Sequence, residues 1–141
     1  MQTLENAKWI ADKGYICEKN KSPVPSVFKR VLSLHGEISC AEIHCTAMGI
    51  YDICIDGSRV SENYFAPGFT SYKHFLQYQT YDVTKLLKND STISVTVAGG
   101  WAVGSFNYNR RSRIANDRCS LLFALEITYK DGKKEQIVSD K

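Results

Sequence analysis

The sequence has no apolar run long enough to cross a membrane as a helix. Its longest, Leu121–Leu125, falls far short of the ~20 residues that a span needs. Strong charge of either sign is missing too. The net of +3 is too small a bias to argue for nucleic acid or an anionic membrane as partner. The opening, MQTLENAKWIADKGY, lacks the basic-then-apolar layout of a secretory leader. Internal repeats and low-complexity segments are absent. Histidine is scarce: His35, His44 and His74 are scattered, and no Ser/His/Asp order suggests a nucleophilic triad. His44 falls on the polar side of a strand-like run and reads as a surface residue.

The five cysteines, Cys17, Cys40, Cys45, Cys54 and Cys119, lack any C-x-x-C pair and are odd in number. A chain of 141 residues buries a core without disulfide staples, so free, reduced thiols are expected. Cys45 and Cys54 lie in strand-like runs, where a thiol packs as a small apolar group. The triplet Ile43–His44–Cys45 is a poor zinc motif, and metal binding by cysteine is not expected.

What the sequence does have is alternation at period two. Ala41, Ile43, Cys45 and Ala47 share one face against Glu42, His44 and Thr46. Tyr51, Ile53 and Ile55 follow, and Asp56–Gly57 supplies a turn. Ile93, Val95 and Val97 alternate with Ser94 and Thr96. Phe123, Leu125, Ile127 and Tyr129 form another face, and the chain turns at Asp131–Gly132 and returns through Gln136–Val138. Alternation bounded by Asp-Gly turns predicts strands and hairpins. Strands are expected over 27–34, 40–47, 50–56, 75–81, 92–98, 119–129 and 134–138. Only YDVTKLLKND can hold a helical turn, at Lys85–Lys88, with Asp82 or Thr84 as its cap. The expected fold is all-β, two packed antiparallel sheets in one domain over 27–141, preceded by an extended lead-in over 1–26.

Three strings fix a resemblance: GIYDICIDGSRV, then FAPGFTSYKHFLQYQTYDVTKLL, then a strand ending in GGW. In this order they resemble the N-terminal jelly-roll (galactose-binding-like) β-sandwich domain of bacterial α-L-rhamnosidases, over roughly residues 27–139. Phe69 stands where that family usually has Trp, and Asp56 where Asn usually precedes the turn glycine. The resemblance implies a non-catalytic accessory domain in a larger multidomain enzyme that removes terminal α-L-rhamnose from glycosides. It implies that hydrolysis belongs to a separate (α/α)6 barrel with two acidic residues. That barrel, with the rest of the rhamnosidase chain, is one implied partner; rhamnose-containing glycans are the other. In a bacterium the compartment stays open between cytoplasm and periplasm.

The aromatic stretch 62–84 is where sugar chemistry would sit. Aromatic faces cover the apolar side of a pyranose, while amides and carboxylates bond its hydroxyls. Glu62, Asn63, Tyr64 and Phe65, with Trp101, Asn107, Tyr108 and Asn109, have those side chains. Some rhamnosidase modules of this type bind L-rhamnose with calcium through an acid–amide pair, which Glu62–Asn63 matches locally. Two side chains are too few for calcium alone, so other loops would have to add oxygens. The competing reading makes Tyr72, Phe75, Tyr78 and Tyr81 core fillers and the domain a structural spacer packed on the barrel. Within 75–81, unpaired buried amides would be costly, so Leu76 and Tyr78 are expected to face the core and Gln77 and Gln79 to face solvent or bond a neighbouring strand. The basic run NRRSRIANDR, with Arg110, Arg111, Arg113 and Arg118, reads as a solvated loop or a contact with another domain.

Overall fold

A computed structural model describes residues 3–14, 16–19, 21, 23–105 and 113–140. It is an antiparallel β-sandwich of jelly-roll type. One sheet runs β1 (Ile10–Ala11), β8 (Ser120–Tyr129), β3 (Ile38–Met48) and β6 (Gln79–Asp82), with β9 (Lys134–Val138) also on β8. The other runs β2 (Ser26–Val31), β7 (Thr92–Ala98), β4 (Ile50–Ile55) and β5 (Ser58–Arg59). Every strand pair is antiparallel.

The period-two faces become the core. Ala41, Ile43, Cys45 and Ala47 of β3 meet Tyr51, Ile53 and Ile55 of β4, Ile93, Val95 and Val97 of β7, and Leu121, Phe123, Leu125, Ile127 and Tyr129 of β8 in one buried cluster. Asp56 and Gly57 take positive φ values of 50° and 83°, the two-residue turn that matches strand twist and joins β4 to β5. The β3–β4 corner turns at Gly49, whose φ is 137° and whose added Cβ would lie 2.2 Å from the Ala98 carbonyl oxygen. Only a residue without a side chain fits there.

Within the extended lead-in, Ile10–Ala11 pair with β8. Three expectations change. A short helix α1 (Gly100–Val103) follows β7 where none was expected. The strand expected over 75–81 is regular only from Gln79 to Asp82, where its faces are inverted, while Gln77 is exposed as expected. Tyr81, opposite Ile43, is buried, while Phe75 and Tyr78 are exposed and Leu76 is half-buried. The inversion has a local cause: Gln79 donates its side-chain amide to the Pro67 carbonyl at 3.0 Å, so a glutamine can sit inward without an orphaned group.

His44 is the third. It is 3% exposed rather than on the surface, because segment 71–78 lies over this face of β3. The Tyr78 ring packs edge-on to the imidazole at 6.3 Å, and the Thr46 hydroxyl donates to the Gln77 carbonyl at 2.6 Å. The helical turn is present: Leu86 and Leu87 amides reach the Val83 carbonyl, and the Asp82 carboxylate accepts from the Thr84 amide at 2.9 Å. Thr84 does not cap the turn but accepts from the Ala41 amide of β3 at 2.9 Å.

Candidate functional site

A recess of about 390 Å³ opens beside β4 and β5, lined by Ile50, Tyr51, Asp52, Arg59, Asn63, Tyr64 and Phe65. Two local causes build it. The Asp56–Gly57 hairpin sets Cys54 opposite Arg59, which places Asp52 and Arg59 on one face as diagonal neighbours. The Arg59 Nε donates to both Asp52 carboxylate oxygens at 2.9 and 3.0 Å, and Nη2 donates to the Asn63 carbonyl at 2.9 Å. The bond to Asp52 holds the guanidinium charged even more firmly than usual. Its Cζ stands 4.6 Å from the Tyr64 ring centroid, a cation–π contact that sets the exposed tyrosine at the rim.

The loop after Asn63 is tied to the sandwich rather than loose. Ala66 bridges Tyr51, whose amide donates to the Ala66 carbonyl at 2.7 Å. Phe65 holds a φ of 59°, uncommon for a bulky residue, so the surrounding structure dictates the direction of its ring. Beneath the recess, the Tyr51 hydroxyl donates to the Cys45 carbonyl and pairs with the Tyr81 hydroxyl, both at 3.1 Å. Burial pushes the Tyr51 phenol and the Cys45 thiol far up, so both stay neutral.

An aromatic cluster adjoins the recess through Phe65. Phe65 and Phe69 stand edge-on to Trp101 at 6.1 and 6.0 Å, and Phe69 meets Tyr72 at 5.9 Å. Phe65 and Phe69 are exposed, and Trp101, carried by α1, is half-buried. The Tyr72 hydroxyl is buried without a hydrogen-bond partner among the described residues.

The expected site residues therefore divide. Asn63 and Tyr64 line the recess, and Trp101 stands beside it in the aromatic cluster. Glu62 is exposed and is not among the lining residues. Asn107, with Tyr108, Asn109, Arg110 and Arg111, lies outside the described residues. Of the basic run, Arg118 pairs with Asp117 at 3.1 Å, and Arg113 donates to the Cys17 carbonyl at 3.2 Å. Arg59 was not expected, although its place across a two-residue turn from Asp52 was readable from the Asp-Gly signal.

Calcium takes six to eight oxygens. The Asn63 carbonyl already accepts from a guanidinium, and a second cation beside Arg59 would be repelled. No group of three His, Cys, Asp or Glu side chains fit for a metal ion occurs among the described residues.

Residues 36–141 match the family model described as the α-L-rhamnosidase N-terminal domain. An α-L-rhamnosidase of Formosa agariphila is 34% identical over 140 residues, which cover 95% of this chain and 15% of that protein. The solved α-L-rhamnosidase of Aspergillus terreus superposes with a TM-score of 0.92 at 35% identity, covering 99% of this chain and 16% of that one. That of Streptomyces avermitilis, solved in complex with L-rhamnose, gives a TM-score of 0.77 at 34% identity, covering 84% of this chain and 12% of that one. The chain thus spans a small part of each relative's length.

Proposed function

Since the chain belongs to the α-L-rhamnosidase N-terminal domain family, we propose that it is a non-catalytic accessory domain that holds L-rhamnose in the Asp52–Arg59–Tyr64 recess. The observation that carries this reading is the recess itself, where an apolar floor meets a polar rim. Ile50 and Phe65 offer carbon surface to a deoxyhexose; Asp52, Arg59 and Asn63 offer hydroxyl partners at one side. The Asp52–Arg59 pair is neutral in sum, which suits an uncharged sugar better than a uronate or sulfate. The L-rhamnose complex of the Streptomyces avermitilis relative supports the choice of sugar. Hydrolysis is assigned to the part of the parent enzyme that this chain does not span.

The test is a calorimetric titration of the chain with L-rhamnose, run with calcium and with a chelator. Binding is expected in both arms, because Arg59 already supplies a positive charge beside Asp52 in the recess. Tyr64→Ala is expected to weaken binding about tenfold or more by removing a ring face, while leaving the melting temperature nearly unchanged because the side chain is exposed. Wild-type chain that binds no rhamnose in either arm would overturn the proposal in favour of a structural spacer. Binding only with calcium, abolished by Glu62→Ala, would return the ligand role to the acid–amide pair.

A further inference from the structure

At the edge of the sandwich farthest from the recess, the two sheets do not close. Between the free edge of β2 and that of β9 runs an apolar cleft of about 390 Å³, lined among others by Ile10, Phe28, Leu32, Val95, Phe123 and Ile137. Among the described residues β2 pairs with β7 along one side only. The Leu32 amide donates to Ser91, in line with β7, so alternation along the ladder aims the N–H and C=O groups of Val27, Lys29 and Val31 at the open side. Val27 and Val31 are 54% and 63% exposed, an unusual load of apolar surface for one short edge strand. Arg30 pairs in register with the core residue Ile93, so it stands on the inward face at the mouth of the cleft. Among the described residues no carboxylate lies within ion-pair distance of Lys29 or Arg30.

We propose that this edge is the seat of an extended segment from the remainder of the rhamnosidase chain, with apolar residues and an acidic one on its inward face, which adds to β2 as a further strand. The partner's chemistry follows from the groups left open. Its backbone meets the free groups of β2, its apolar side chains enter the cleft, and a carboxylate meets Arg30. That the occupant comes from the same enzyme follows from length: the relatives carry this domain as 12% to 16% of a much longer chain. The inference rests on the reading of the chain as an accessory domain, but it uses the opposite edge of the sheet from the sugar recess.

Hydrogen–deuterium exchange of the peptide spanning β2 tests it, measured in the 141-residue chain and in the full-length rhamnosidase that carries it. The alternate amides of Val27, Lys29 and Val31 are expected to exchange about 100-fold more slowly in the full-length enzyme. Arg30→Glu is expected to restore fast exchange there and to leave the short chain unaltered. Equal exchange in both proteins overturns the proposal. So does protection in the short chain that grows with concentration, since the occupant is then a second copy. An Arg30→Glu enzyme that stays protected overturns the acidic character of the segment. Failure of rhamnose to bind sinks the recess reading alone, because the exchange of β2 does not depend on it.

Discussion

Single residues decide the corners and the rim. Gly49→Ala forces a side chain into a backbone carbonyl at a left-handed φ, and it is expected to cost about 2–4 kcal/mol in chemical denaturation. Gly57→Ala makes the control: a Cβ there meets nothing within 4 Å, so only its φ of 83° opposes the change and the loss is about 1 kcal/mol. Asp56 shows how a turn residue couples to pH. Its carboxylate accepts from the Thr92 amide at 2.8 Å and from the Ser91 hydroxyl at 2.9 Å, which lowers its pKa below the usual carboxylate range. Asp82 is lowered likewise by the Thr84 hydroxyl and amide. A folded-state pKa below the unfolded one stabilises the fold above the unfolded value near 3.9, and that stabilisation is lost as pH falls through the folded value. Stability should therefore hold from neutral pH down to about pH 5 and decline below about pH 4, with Asp56→Asn flattening the decline.

At the scale of elements, strands whose two faces differ plainly were legible in the sequence. β3, β4, β7, β8 and β9 lie within a few residues of where alternation puts them, and the Asp-Gly turns fix their hairpins. Segment 71–78 was not legible. Its side chains alternate well enough for a strand, but its Gln77 carbonyl accepts from the Thr46 hydroxyl on the back of β3, a partner no local pattern announces. His44 shares that cause: a polar-face residue is buried when a distant segment folds over it. The correction changes a mutational expectation. Full burial of Leu76 would make Leu76→Ala cost 2–4 kcal/mol; half-buried, it should cost about 1 kcal/mol. Val83→Ala, at a fully buried position, should cost about 2–3 kcal/mol in chemical denaturation. Of the candidate site, Asn63, Tyr64 and the nearby Trp101 were readable from composition. The place of Arg59 across the Asp56–Gly57 turn was readable, but its bond to the Asn63 carbonyl was not, because that loop has no periodic pattern.

The whole molecule is a domain whose activity in isolation can be checked simply. Purified chain is expected to release no p-nitrophenol from p-nitrophenyl α-L-rhamnoside above the buffer rate. A rate proportional to protein would place hydrolytic groups within these residues. Its five thiols, taken together, have a practical consequence. Cys17, Cys45 and Cys119 are buried, and burial raises the Cys119 thiol to about 11. Cys54 is partly covered, with its thiol also raised above the ordinary value by burial. Cys40, at the start of β3, is exposed. A maleimide dye should therefore attach first at Cys40 without any engineering of the chain, since reaction follows thiolate character and access. The native protein thus offers a fluorescent reporter site at the far end of β3, from which approach of the remaining enzyme can be followed by energy transfer.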